Sequence, residues 1–255
     1  MKRSLICALV LATLGALLLR ISRMLRLRPR FTPWPDEWSD EVETFDVATG
    51  ASVGTMLRSE FYAQSEREWL LHGKVLHKVK VIRMLLLDPD GNVWLMLRSG
   101  LKKSTAGKRD KTIGGHVRAG HSWDHTVIEE GMQELALPVL PLVPETFLSS
   151  LRMPSLLLQG AVARCVAEIN DFRVMCLGDE CRFEQPYITR LYVGYTRRRL
   201  RPANREAASY TKLPLRQLRA EIARRPERYT PDLIMMIGML VEHLVPLKNL
   251  TTEEN

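Results

Sequence analysis

The sequence has few cysteines and none in a pattern. Cys7, Cys165, Cys176 and Cys181 are the only four in 255 residues, without a Cys-x-x-Cys pair. Neither a disulfide framework nor a cysteine-based zinc site is indicated. Cys176 and Cys181 flank a Leu-Gly-Asp-Glu loop, a spacing open either to pairing under oxidation or to two free thiols. Gly (15) and Pro (14) are not in excess, which excludes a collagen-like or low-complexity chain. No internal repeat is present. Acidic residues are missing from the first 35 positions, where Lys2, Arg3, Arg20, Arg23, Arg26, Arg28 and Arg30 stand. The formal charge of +8 therefore sits mostly at one end: beyond residue 35, 30 basic residues face 29 acidic ones. A charge of that size invites a nucleic-acid reading, but the body is balanced and no nucleic-acid partner is expected. With 45% apolar content, the chain can bury one core, a domain of about 200 residues plus an appendage.

Ser4 to Leu19 is a run of 16 residues without a charge. A bilayer-spanning helix wants about 20 apolar residues, and 16 is nearer to the apolar region of a signal peptide. No Ala-x-Ala-like cleavage site follows. The helix can extend through Ile21 if Arg20 snorkels to the interface. Five arginines follow the run against two basic residues before it, which by the positive-inside rule keeps the C-terminal flank in the cytoplasm. Residues 1–30 are thus expected to be a hydrophobic helix anchored in membrane lipids, with the domain facing the cytoplasm. The alternatives are a cleaved export or organelle-targeting peptide, or a start set too early, the cytoplasmic protein then beginning near Met24 or later. Pro33 and Pro35 discourage continuation of the helix. A linker is expected over 31–44, a domain over 45–246 and a flexible tail over 247–255.

Val79 to Leu87 has strand-like apolar spacing and ends in Asp88-Pro-Asp-Gly-Asn92, a strong turn signal. Val93 to Leu97 reads as the return strand, so a β-hairpin is predicted over 79–98. Ser122 to Leu135 is helical by period, with Ile128, Met132 and Leu135 as its apolar stripe and Ser122 as N-cap. Tyr187 to Tyr195 is β-branched and aromatic, hence a strand. Helices are predicted over Pro214–Arg224 and Pro231–Val245, the second capped by Thr230. Segment 145–184 gives no clear period. The fold class is α/β of the α+β type, with strands that do not alternate regularly with helices.

The chemistry-bearing stretch is Gly114-Gly-His-Val-Arg-Ala-Gly-His121, a glycine-rich turn feeding a helix that carries Glu129, Glu130, Gln133 and Glu134. Glu130 and Glu134 are i, i+4 neighbours. Two carboxylates on one rigid face repel each other unless a cation lies between them, and Mg²⁺ prefers such oxygen ligands. The Gly114–Gly115 and Gly120 backbone can approach an anionic substrate closely. On these residues alone, a solvated polar helix face is the competing reading. His121 and His125 also make an i, i+4 pair of the kind that binds zinc, though no third ligand is evident in the sequence. Arg98, Lys102, Lys103, Lys108, Arg109 and Lys111 crowd the preceding loop. Solvation is their default reading, and a phosphate-facing role for Arg98 and Lys111 is the functional alternative. Arg197–Arg199 with Arg201 lack the aromatic interleaving of a single-strand binder.

This stretch resembles the signature of the Nudix hydrolases: a glycine, five residues, a glutamate, seven residues, then Arg-Glu-apolar-x-Glu-Glu-x-Gly-apolar. Aligned from Gly115, the first glutamate is His121, the Arg-Glu pair is Glu129-Glu130, the Glu-Glu pair is Gln133-Glu134, and the last glycine is Ala136. The box, over 115–137, is degenerate. The flanks Arg58-Ser-Glu60, Leu70-Leu-His72, Leu97-Arg-Ser99, Asp110-Lys-Thr-Ile-Gly-Gly-His-Val117, Glu221-Ile-x3-Pro226 and Tyr229-Thr-Pro-Asp-Leu233 are similar to the branch around isopentenyl diphosphate isomerase. The resemblance implies an α/β/α sandwich with a mixed sheet, and hydrolysis of a diphosphate linkage in a nucleoside diphosphate derivative or related small molecule. It implies Mg²⁺, with Mn²⁺ as the alternative, held by Glu130 and Glu134 as catalytic ligands. Gln133 stands at a third carboxylate position, and His116 matches a metal-ligating histidine of the isomerase. Gly114, Gly115, Arg98 and Lys111 would face the substrate. His121 and Glu129 would form a structural pair with the family's charges exchanged. Isomerase activity is not expected, because Gly114 replaces the reactive cysteine. Glu180, Glu184 and Glu206 are the acidic candidates for activating water. The rival reading is a catalytically weakened Nudix domain that binds a ligand or regulates at a membrane.

Overall fold

The computed structural model describes residues 40–251 apart from Lys103. The expected hydrophobic segment 1–30 and most of the linker lie outside the described residues, among which no helix is long and apolar enough to cross a membrane. Strands β1 (Glu41–Asp46) and β2 (Ser52–Leu57) form a hairpin that crosses the expected 44/45 boundary. Helix α1 (Arg58–His72) follows. Then come β3 (His77–Leu87), β4 (Asn92–Arg98), β5 (Arg109–Asp110), β6 (Ile113–His116) and helix α2 (Trp123–Leu135). Strand β7 (Val139–Pro141) and the short helices α3 (Pro144–Leu151) and α4 (Pro154–Gln159) lead to a long antiparallel pair, β8 (Ala161–Leu177) and β9 (Arg182–Thr196). Strand β10 (Ala207–Pro214) and helices α5 (Leu215–Arg224), α6 (Pro231–Leu240) and α7 (Leu247–Thr251) complete the domain, α7 occupying the start of the expected flexible tail.

The sheet runs β10-β4-β3-β9-β8-β7, with β3–β9 and β7–β8 parallel and the other pairs antiparallel. It is a mixed sheet covered on both faces, and the sequence shows why. Side chains alternate along a strand, and here both sets are apolar, as a sheet buried on two sides requires. Ile82, Met84 and Leu86 of β3, with Trp94 and Met96 of β4, pack against Val127 and Leu135 of α2. Leu85 and Leu87, with Val93 and Leu95, pack on the opposite face against Phe147, Leu156, Leu218 and Met236 from α3, α4, α5 and α6.

Two expectations need correction. The 88–92 turn closes as predicted, but β3 and β4 pair only at Leu87–Val93. Beyond it the same edge of β3 is taken by β6 and then β1, while β4 turns away to pair with β5 and β10. The stripe of α2 is also rotated. Ile128 is 41% exposed, and the buried face carries Val127, Gly131, Glu134 and Leu135. Gly131 is the cause: a Cβ there would meet Val139 and the Leu137 carbonyl, so the helix lies close on β7 at that point. Ser122 caps α2 as expected, accepting from the His125 amide at 3.1 Å. Thr230 likewise caps α6.

Candidate functional site

Strand β6 lies antiparallel to β3, setting Gly114 opposite Arg83, Gly115 opposite Ile82 and His116 opposite Val81. The loop that follows turns the chain into α2, whose glutamates return to the glycines. A Cβ on Gly115 would collide with the Glu130 carboxylate, so this side chain lies directly on the glycine backbone. Glu134 sits beneath, only 2% exposed, accepting from the Gly114 amide at 3.3 Å and from the Tyr210 hydroxyl at 3.5 Å. Burial first, and then the charges of Glu130 and Glu206, push its carboxyl well above the usual range. A buried acid crowded by two others is short of positive charge, which is the chemistry of a donor set for a hard divalent cation. Glu130 and Glu134 therefore fit a hard divalent cation as oxygen donors, with Glu206 close enough to add its charge.

Gly114, Gly115, Glu130 and Glu206 border a cleft of about 600 Å³. On its inner wall, Arg83 is 5% exposed. Its guanidinium donates to Thr189 Oγ1 at 2.7 Å, lies 4.4 Å from the Phe172 ring centroid, and faces Asp232 at 3.5 Å. Lys111 Nζ bonds Asp232 Oδ2 at 2.8 Å and reaches Asp110 at 3.3 Å. Burial works against the charge on Lys111, but Asp110 and Asp232 outweigh it and raise its pKa. Tyr62 bridges His116 Nε2 at 2.9 Å and the Tyr187 hydroxyl at 2.8 Å. Burial, with Arg58, Arg83 and Lys111 nearby, holds the His116 imidazole well below its usual pKa and hence neutral. Burial pushes the Tyr62 hydroxyl up to about 12. The wall thus offers a neutral Tyr–His–Tyr chain beside fixed cations.

No protein-family profile matches this chain, and no curated protein does. Solved structures do. The chain is similar to DR0079 from Deinococcus radiodurans, at 16% identity over 78% of this chain and 98% of that one, with a TM-score of 0.55. It is also similar to the NUDIX domain of Shewanella oneidensis NrtR complexed with ADP ribose, at 14% identity over 71% and 99% and a TM-score of 0.44. A bifunctional NMN adenylyltransferase/ADP ribose pyrophosphatase from Francisella tularensis aligns at 14% identity over 74% of this chain and 48% of that one, TM-score 0.44. The likeness is one of fold.

Within that fold, Gly114, Gly115, His116, Arg98, Lys111, Glu130 and Gln133 all border the cleft, and Glu134 lies behind its floor. Arg98 is engaged with Asp110 at 2.9 Å and the Ser104 carbonyl at 3.3 Å. With Lys111 likewise tied to Asp232, both cations hold the wall together. His121 and Glu129 do not border the cleft. Their nearest approach is 3.7 Å, without a hydrogen bond, and Arg118 holds Glu129 more closely at 2.6 Å. Of the three acids considered for water activation, Glu206 is at the cleft, ion-paired with Lys102 at 2.6 Å. Glu184 pairs with Arg173 at 3.0 Å along β8–β9, and the Glu180 amide donates to Glu66 at the tip of that pair.

The sequence reading missed Arg83, Tyr62, Tyr187 and Asp232 as site residues. Arg83 carried a signal: it is an arginine in the middle of the apolar strand Val81-Ile-Arg-Met-Leu-Leu-Leu87, where a buried charge demands a partner. One expectation arises from Gly115 itself. Its substitution by alanine should evict the Glu130 side chain while leaving the fold in place, because the colliding atoms end a flexible side chain. Divalent-cation affinity should fall by roughly 10–100-fold with a thermal midpoint near that of the native chain. Unchanged affinity would mean that Glu130 is not a ligand.

Proposed function

We propose that the protein is a Nudix-type hydrolase that cleaves a diphosphate linkage with the help of Mg²⁺ or Mn²⁺. The observation that carries this reading is the buried Glu134, crowded by Glu130 and Glu206 under the Gly114–Gly115 backbone of a cleft walled by cations. The order of the motifs along the chain supports it. A divalent cation bound there would neutralise phosphate oxygens and make water a better nucleophile. Glu130 and Glu134 would hold it, and Glu206 stands where it could accept a proton from the attacking water. Gly114 and Gly115 let the Lys111 and Glu130 side chains lie directly on the backbone, so an ammonium and a carboxylate converge where a metal-bound phosphate would sit. Arg83 and Lys111 supply fixed positive potential along the wall, while the Tyr62–His116–Tyr187 chain remains uncharged and orients neutral substrate groups.

The altered box favours a second reading on one specific observation. Gln133 replaces a carboxylate, and its Nε2 atom is buried without a hydrogen-bond partner. An amide oxygen can coordinate but brings no charge, so the chain could serve instead as a ligand-binding domain. The test is phosphate or nucleotide release from a panel of nucleoside diphosphate derivatives, ADP-ribose among them, with and without Mg²⁺. Metal-dependent turnover of one or more is expected. Saturable binding with no turnover on any member would establish the binding module instead.

A further inference from the structure

We propose that His121, His125 and Glu129 form a second cation site, outside the cleft, for a late first-row divalent ion that takes imidazole, with zinc as its occupant. Each offers a ligand atom, and these atoms lie within 4.8 Å of one another. His125 and Glu129 stand one turn apart on α2. His121 precedes the Ser122 cap, and its amide donates to the Arg118 carbonyl at 3.0 Å, which folds it back over the first turn. The two imidazoles stack with centroids 4.3 Å apart and planes within 6°. His121 Nδ1 is buried, has no hydrogen-bond partner, and is 3.7 Å from Glu129 Oε2. A buried ring nitrogen facing a carboxylate oxygen beyond hydrogen-bond reach needs a partner, and a cation bound between them would satisfy both.

The electrostatics allow it. Arg118 occupies Glu129 Oε1 at 2.6 Å, but Asp40 binds the same guanidinium at 3.0 Å, so the group carries one net negative charge and leaves Oε2 free. Zinc bonds of about 2.0–2.1 Å place tetrahedral ligands about 3.3 Å apart. Reaching that separation takes a turn of the exposed His125 ring out of its stack and a few tenths of an ångström of closure between His121 and Glu129, now 3.7 Å apart. Two imidazoles and a carboxylate leave the fourth position open to water. Magnesium, which wants oxygen ligands, would prefer the carboxylates of the cleft. Two cations could then be held by one helix without exchanging places. Zinc here would tie the loop leading from Gly114–Gly115 to the start of the helix that carries Glu130 and Glu134.

The test uses the untagged full-length chain, stripped with a chelator and kept in excess Mg²⁺ to occupy the cleft. Cobalt(II) serves as the spectroscopic probe and zinc as its competitor. A visible absorption band that saturates and is removed by zinc is expected. His125→Ala should weaken binding by roughly tenfold or more, and Glu129→Gln should weaken it as well. His125 is exposed, so the first variant should melt as the native chain does. Absence of the band, or an identical band and affinity in His125→Ala, overturns the proposal. Because the readout is spectroscopic, this outcome is independent of whether any diphosphate is hydrolysed.

Discussion

Glu134→Gln should cost at least about 100-fold in Mg²⁺-dependent kcat/KM and at the same time make the metal-free protein more stable. The two effects share one cause. Glu134 is almost wholly buried, and its carboxyl is pushed well above the usual range by burial and by Glu130 and Glu206. An acid whose folded pKa is raised contributes most stability below its unfolded value, and that contribution is lost as pH rises through the folded value. Without a cation, the native protein should therefore weaken as pH rises from about 4.5. The glutamine variant carries no such charge, still accepts from the Gly114 amide through its carbonyl oxygen, and should show a flatter profile. Near neutral pH its advantage should be of order 1 kcal/mol or more, about 2–4 °C in midpoint for each kcal/mol. Saturating Mg²⁺ should reverse the ranking, because the cation stabilises the native site by mass action. Thermal melts from pH 4 to 8, with and without Mg²⁺, check this beside the turnover assay. A variant that loses stability at every pH, with Mg²⁺ shifting both proteins equally, would remove Glu134 from the cation site.

This dual behaviour was only half visible in the sequence. The i, i+4 spacing of Glu130 and Glu134 was legible, as was the capped helix that carries them, because both are local properties. Their burial was not. It depends on Gly131 letting α2 settle on β7, which turns Glu134 inward and Ile128 outward. The turn at 88–92, strand β9 and the Thr230 cap were legible for the same local reason. Helix α1 was not, since its buried residues are Phe61, Ser65, Glu66 and Glu68, a set with no apolar period. Glu66 is buried because distant backbone satisfies it, through the amides of Asp179, Glu180 and Cys181 at the tip of β8–β9, while Glu68 accepts from the Leu76 amide just past the helix. Helices α3 and α4 are too short to show a period at all. Arg83 announced itself as a charge in an apolar strand, but its partners Phe172, Thr189 and Asp232 come from three remote elements that only the folded sheet assembles.

Those partners make Asp232→Asn the most destabilising single change expected in the cleft wall. Asp232 stands in the first turn of α6 and is the shared counter-charge of the buried Arg83, at 3.5 Å, and of the largely covered Lys111, at 2.8 Å. Burial alone would raise its carboxyl, yet Lys111 and Arg83 outweigh burial and hold it far below the usual carboxylate range. Removing one member of such a group leaves uncompensated charge on the largely buried Arg83, at a cost of about 3–5 kcal/mol. Lys111 would keep Asp110, but Arg83 would face only the Thr189 hydroxyl and the rings of Phe172 and Tyr187. In urea denaturation at neutral pH the midpoint should fall with little change in slope, equivalent to about 6–20 °C in thermal melts. The sign of the pH dependence is opposite to that of Glu134. A depressed carboxyl contributes stability above its unfolded value and loses it as pH falls through the folded one. The gap between native and variant should therefore be full at neutral pH and begin to close only below about pH 4. Thr230 ties the same helix start to Asp110 at 2.7 Å, so the variant should keep α6 in place. A gap under about 1 kcal/mol, the range of surface ion pairs, would show that water reaches Arg83 and Lys111 and that the wall is wetter than its burial indicates.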